Sequence, residues 1–314
     1  MRDQALAGRR FALTVPRASH GGADVDHTGL VAAIAAYSMW GFMPVFFRQL
    51  EHVSALEIIA HRVIWAVPLL ILIMAARRQL AEYFTVLKSW AMLRWMLLSA
   101  LLISTNWLVY VLAVNSGQIL AASLGYYLNP LMNVLLGTMF LGERLTRRQW
   151  AAVGMAGVAV AVLAAGAIGT LWISLTLAVS FGLYGFVRKL APVGAVPGLA
   201  VETSLLLPLS MGAAFWFIFQ TGSAGWTGDT RTMAYLAAGG AVTATPLILF
   251  AIAARRMSYS LLGFIQYIGP TIQFVIGIYI YGEELNEIRL VAFALIWAGL
   301  VLFSSEALKK HRLA

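Results

Sequence analysis

The chain repeats itself, without a gap, at an offset of 140 residues. Phe46 and Arg48 recur as Phe186 and Arg188, Pro68-Leu69 as Pro208-Leu209, and Ala113 as Ala253. Tyr127, Pro130, Gly137, Gly142, Glu143 and Leu145 recur as Tyr267, Pro270, Gly277, Gly282, Glu283 and Leu285. The copies are made of apolar, membrane-length segments, and each holds an odd number of them. An odd-numbered repeat must insert its second copy upside down. Inverted repeats of this kind are built into carriers that alternate access to a site near the bilayer midplane.

Composition supports a membrane reading. Hydrophobic residues are 61% of the chain and charged residues 11%, with a mean hydropathy of +0.82; a soluble domain carries about 25% charged residues. A hydrocarbon core of about 30 Å needs roughly 20 apolar residues per helix. Ten stretches qualify: 29–47, 55–75, 95–114, 118–141, 149–166, 168–187, 198–220, 232–253, 259–281 and 288–305. The expectation is an all-α integral membrane protein of ten helices in a 5+5 inverted repeat. Residues 1–28 read as a disordered cytoplasmic tail, 29–166 and 167–305 as the two five-helix repeats, and 306–314 as a short basic cytoplasmic tail.

The net charge of +9 reports topology and not a nucleic-acid partner. With the N-terminus inside, only Arg48, Arg231 and Arg289 fall in outside loops and Arg62 falls within a span. The other eighteen of the 22 Lys and Arg residues are cytoplasmic, a strong positive-inside bias. There is no Cys, which excludes disulfides and zinc–thiolate sites. Arg9-Arg10-Phe11 contains a twin-arginine pair, but no apolar core follows it.

Local signals punctuate the helices. Thr146 with Gln149 has capping-box spacing at the start of the fifth helix, and Asn286 is an N-cap type at the start of the tenth. Gly142-Glu143 and Gly282-Glu283 read as turn and capping elements. The fifth and tenth helices are nearly devoid of polar residues and read as scaffold, with Ala152, Gly154, Ala156 and Gly157 allowing close packing. Pro130 and Pro270 lie near the middle of the fourth and ninth helices. There a proline should free the carbonyls of Tyr126 and Gln266, which lipid cannot satisfy. Paired breaks at symmetry-related positions point to a carrier's binding site, although a packing kink filled by a neighbouring hydroxyl would also serve.

Ionisable residues inside spans are expensive, and so default to a functional reading. Glu57 is shallow enough to snorkel. His61 and Arg62 lie deeper, and Glu202 occupies the repeat position of Arg62. All three are gating or coupling candidates, with Glu202 the first choice for a proton site; the competing readings make Arg62 a buried structural ion pair and have Glu202 cap or pair with Arg188 or Lys189. Inverted topology puts Arg62 and Glu202 at different heights, which argues against a simple pair. The other polar and aromatic residues concentrate in the first, third, fourth, sixth, eighth and ninth helices. They suit an amphipathic organic substrate better than a Mg²⁺ or Ca²⁺ cage.

The strings WGFMPVFF, EIIAHRVIW, LLISTNWLVY, ASLGYYLNPLMNVLLG, SFGLYGFVRK and FIQYIGPTIQF resemble the RarD family of EamA-type transporters, within the drug/metabolite transporter superfamily. The resemblance runs from about residue 29 to 305. It implies a multi-pass protein of the bacterial inner membrane with a central cavity lined by helices one, three, four, six, eight and nine. The family is described as chloramphenicol-sensitivity-related permeases. The substrate-binding expectation is Trp40, Asn106, Tyr127, Asn129, Gln266 and Tyr267 around that cavity, with Pro130 and Pro270 kinking their helices toward it. The functional expectation is a secondary transporter of a small organic metabolite or amphipathic drug-like compound, with amino-acid-like and chloramphenicol-like molecules as candidates. H⁺ is the candidate coupling ion, and the chain is expected to work as a monomer among membrane lipid without a cofactor or metal. A non-transporting sensor or assembly subunit is the alternative. A membrane enzyme is a distant third, because His61 is the one His within a span and no HExxH or nucleophile–base spacing occurs.

Overall fold

In the computed structural model, residues 26–141, 146–166, 168–221, 229–256 and 265–313 are described. The described residues are helical, joined by short turns. The helices are α1 (His27–Arg48), α2 (Ala55–Ala76), α3 (Leu80–Lys88), α4 (Trp90–Asn115), α5 (Ile119–Leu141) and α6 (Arg147–Gly166). Then follow α7 (Ile168–Leu190), α8 (Ala195–Thr221), α9 (Thr230–Arg256), α10 (Ile268–Tyr279) and α11 (Glu287–Leu313). Seven of them (α1, α2, α4, α6, α7, α8 and α9) are long and apolar enough to cross a bilayer, and α10 is a shorter apolar helix. α5, α10 and α11 overlap the remaining expected segments.

Sequence-local chemistry sets many of the ends. The Asp26 carboxylate accepts from the Thr28 and Gly29 N–H groups and caps α1, so residues 27 and 28 of the expected tail are helical. The Thr146–Gln149 capping box forms in both directions, at 2.9 and 3.3 Å. Asn286 Oδ1 caps α11 through the Arg289 N–H. α4 ends in a Schellman turn: Gly117 has φ +65°, and the Gln118 N–H reaches the Ala113 carbonyl at 2.7 Å. α3 was not anticipated. It is a short helix that buries Val86 and ties to α8 through Tyr83 and Ser204.

Adding 140 to the residue number carries α1 onto α7, α2 onto α8, α4 onto α9, α5 onto α10 and α6 onto α11. The packing obeys the same operation. α1 lies against α9 and α10, as α7 lies against α4 and α5; α2 lies against α9 as α8 lies against α4. α2 with α8, α5 with α10 and α6 with α11 are pairs that map onto themselves. The two repeats are therefore not side-by-side domains. Most of the extensive helix contacts cross from one half to the other.

Close approaches occur where small residues permit them. A Cβ on Gly240 of α9 would sit 2.5 Å from the Trp65 carbonyl carbon of α2, and one on Gly125 of α5 would sit 2.8 Å from the Ser174 oxygen of α7. The α6–α11 contact uses buried Ala152, Ala156 and Ala159 with Gly299. Gly154 and Gly157 do not serve it, contrary to expectation: both are exposed on the opposite face of α6, and a Cβ there would meet nothing within 4 Å.

At the α10–α11 turn, Glu283 reaches across to the start of α5. Its Oε1 accepts from the Ile119 N–H at 2.5 Å and its Oε2 from the Leu120 N–H at 3.1 Å, with Arg289 3.8 Å away. Glu283 thus caps a helix of the other half, in place of its own turn. The repeat mate Glu143 lies outside the described residues. Burial pushes the Glu283 carboxyl above its usual 4.5, against the pull of the two N–H groups and Arg289.

Two outcomes follow from this packing. Gly240→Ala should lower stability by about 1–3 kcal/mol through overpacking against a backbone, whereas Gly154→Ala should be neutral or slightly stabilising; thermal unfolding in detergent compares them, and equal melting temperatures would refute the close-approach reading. A carboxyl whose pKa is raised by folding adds stability below its unfolded value and loses it as pH rises through its folded value. Wild-type melting temperature should therefore fall from about pH 4.5 upward by a component that Glu283→Gln lacks. Parallel pH profiles for the two proteins would contradict it.

Candidate functional site

Arg62 sits on α2 two turns in from its start, and is 2% exposed. Its Nε donates to Thr243 Oγ1 of α9 at 2.9 Å, where Gly239 lets the side chain pass. Its Cζ lies 4.9 Å from the Trp107 ring centroid of α4 and 5.2 Å from that of Phe47 of α1. Nη1 is buried without a hydrogen-bond partner, and among the described residues no carboxylate pairs with the side chain. Each cation–π contact returns about 0.5–2 kcal/mol, comparable with the roughly 2.5–3.5 kcal/mol insertion cost of a central Arg.

Around this cation the polar and aromatic groups of five other helices converge. Asn106 of α4 donates from Nδ2 to the Leu177 carbonyl at 3.1 Å and to Ser180 Oγ at 3.0 Å, both on α7. Tyr126 of α5 donates to Asn106 Oδ1 at 3.1 Å. The Tyr126 ring packs 5.7 Å from Tyr110 and 6.1 Å from Phe181, and Tyr110 packs 6.1 Å from Phe47. The Tyr110 hydroxyl is buried and unpartnered. The cluster thus draws on α1, α2, α4, α5, α7 and α9. The second predicted span takes the place that the resemblance gave to the ninth.

Glu202 occupies the equivalent place in the other half and is fully buried. Ser99 Oγ of α4 donates to its Oε1 at 2.5 Å, Tyr184 donates to Oε2 at 3.4 Å, and Arg188 Nη1 lies 3.4 Å from Oε1. Arg188 also donates to the Gly194 and Ala195 carbonyls. Glu202 therefore pairs with Arg188, and Arg62 and Glu202 hold separate partners. The symmetry reaches the contacts of this position: Ser99, which bonds Glu202, is the repeat mate of Gly239, where an added Cβ would lie 3.1 Å from Arg62 Cγ.

The six expected substrate-binding residues do not form one cluster. Asn106 belongs to the Arg62 group. Trp40 packs against Tyr37 and Phe250, and its carbonyl accepts from Gln273 Nε2 at 3.0 Å. Tyr127 stacks on its own repeat mate Tyr267, shares a 2.6 Å hydrogen bond with Thr271, and is flanked by Phe293 and Trp297 of α11. Asn129 is buried with Oδ1 unpartnered, and Gln266 is half-buried in the turn before α10. His61 is buried beside Arg62 in the sequence of α2.

The two prolines behave differently. Pro130 lies inside α5, which is helical on both sides of it. Pro270 is the third residue of α10, where a missing N–H costs nothing. The break falls before it, at Gln266-Tyr267, and the Gln266 carbonyl expected to be free accepts from the Gly269 N–H at 3.3 Å. An apolar groove of about 400 Å³ between α1 and α10, lined by Phe42, Ile272, Val275 and Tyr279, opens on the exposed flank away from the polar cluster.

Sequence reasoning passed over Tyr110 and chose Tyr127 over Tyr126. The i, i+4 spacing of Asn106 and Tyr110 on α4 was the available signal. Adjacent tyrosines point about 100° apart on a helix, and only packing tells which one faces the cluster.

Residues 27–165 match the EamA-like transporter family. The chain is 42% identical over 300 residues to an uncharacterized transporter of Pseudomonas aeruginosa, covering 90% of this chain and 95% of that one. It is 40% identical over 288 residues to the RarD protein of Escherichia coli strain K12, covering 90% and 96%. A solved crystal structure superposes with a TM-score of 0.58 at 19% identity, covering 88% of this chain and 96% of the other, which speaks for the fold alone. Near-complete coverage in both directions, on a bundle whose helices follow the internal repeat, makes the chain a member of the RarD group of the EamA-like transporter family, in the drug/metabolite transporter superfamily.

Proposed function

We propose that this protein is a secondary carrier for small organic solutes in the bacterial inner membrane. It works by alternating access, with ten spans, two inverted halves and both termini cytoplasmic. The observation that carries the reading is the crossed packing of the halves around a polar, aromatic cluster supplied by both. If one half can take the arrangement now held by the other, the inward and outward states are related by the repeat and lie close in energy. Gradients of solute or coupling ion then set direction. Substrates are amphipathic metabolites or drug-like molecules, matched to uncharged hydrogen-bonding groups set among aromatic rings.

Glu202 is the proton-coupling residue in this proposal. It is a buried carboxylate with an ion-pair partner and two hydroxyl neighbours. Proton uptake would release Arg188 from the ion pair while its bonds to the Gly194 and Ala195 carbonyls remain.

Proteoliposome flux tests the carrier, with a metabolite extract inside and mass-spectrometric readout of what leaves. Protein-dependent efflux is expected, and its absence would favour a sensor or assembly subunit. Reporter fusions after Arg94 and Lys189 should read cytoplasm, and fusions at Gly117 and Asn286 periplasm; reversal at any one breaks the inverted arrangement. Glu202→Gln should abolish pH-gradient-driven accumulation while preserving solute exchange, which moves no net proton. Undiminished accumulation would remove Glu202 from coupling.

A further inference from the structure

Among the described residues, two buried donors in the six-helix cluster have nothing to bond to. Arg62 Nη1 and the Tyr110 hydroxyl lack hydrogen-bond partners, in residues that are 2% and 3% exposed. They flank one ring: Phe47 lies 5.2 Å from Arg62 Cζ and 6.1 Å from the Tyr110 ring. Buried polar groups are nearly always hydrogen-bonded, so an unpaired one in a native protein calls for an explanation, and a water or ion that binds there is one. The remaining Arg62 contacts fix its position without neutralising it: Thr243 holds Nε, and Trp107 and Phe47 offer π faces. By contrast Arg188, the basic residue in the other half's network, has its carboxylate in Glu202.

Resting on the carrier reading above, we infer that Arg62 and Tyr110 are the recognition point for the carboxylate of a monoanionic substrate with an apolar or aromatic body. A guanidinium presents several N–H donors suited to a carboxylate's two oxygens. Its single charge cancels one negative charge, so a phosphate dianion would leave a charge uncompensated among Trp107, Phe47 and Tyr126. Those rings supply the walls for an apolar body. Arg62 is thereby a binding residue and not a structural ion pair. Its partner arrives with the solute.

The test uses purified full-length protein and three probes: phenylacetate, isovalerate and the neutral isostere phenylacetamide. Thermal shift and tryptophan fluorescence, to which Trp107 beneath the guanidinium contributes, both report binding without transport. Either carboxylate should bind at least tenfold more tightly than phenylacetamide. Arg62→Gln should weaken phenylacetate at least tenfold, and Tyr110→Phe about threefold. Equal affinity for phenylacetate and phenylacetamide, failure of both carboxylates to bind, or wild-type affinity in Arg62→Gln overturns the inference. If Arg62→Gln does not fold, the acid–amide comparison on wild-type protein decides alone. Neutral-solute flux that survives Arg62→Gln, together with no acid–amide discrimination, sinks this inference and leaves the carrier intact. Carboxylate binding with discrimination but no flux of any solute sinks the carrier reading instead.

Discussion

Lipid gives a buried polar group nothing to bond to, and in this bundle the partner is usually supplied by the opposite half. Arg62 bonds Thr243, Asn106 bonds Leu177 and Ser180, and Glu202 accepts from Ser99. Ser123 reaches the Pro270 carbonyl, Ser174 the Ala121 carbonyl and Gln273 the Trp40 carbonyl. In these bonds each half completes the hydrogen bonding of the other. Since apolar side chains gain little by leaving lipid for one another, these bonds and the glycine approaches account for much of what holds the halves together.

The same constraint explains why the symmetry is topological and not chemical. α2 and α8 occupy equivalent places, yet one carries Arg62 and the other Glu202. The acid has found a cation in its own half, 14 residues back on α7, and a hydroxyl on α4. The cation has found rings and a threonine. One polar centre is closed on itself, while in the other Arg62 Nη1 and the Tyr110 hydroxyl have no hydrogen-bond partner among the described residues. Such an asymmetry between otherwise matched halves is a physical basis for assigning them different tasks.

Much of the fold was legible. The offset of 140 residues anticipates which helices are equivalent, and α2 and α8 begin at 55 and 195, in register with it. The capping box at Thr146 and the N-cap at Asn286 form as read. The site was less legible, for reasons that residues make plain. Gly154 and Gly157 share the small size of Ala152 and Ala156 but lie on the other side of α6. Pro270 reads as a mid-helix proline until the turn at Gln266-Tyr267 makes it a first-turn one. Glu283 looks like a cap for its own turn and instead caps α5.

Sequence alone determined the class of molecule and which helices are equivalent across the repeat, because hydropathy, capping and repetition are properties of residues close together in the chain or at a constant offset. It also determined that Arg62, Glu202, Asn106 and the tyrosines needed partners. Which partners they have was decided only by tertiary structure. Tyr126 and not Tyr127 meets Asn106, and Arg188 and not Arg62 meets Glu202. Those choices depend on the rotation of each helix about its axis, where about 100° separates neighbouring residues, and that rotation is set by packing against helices distant in the chain.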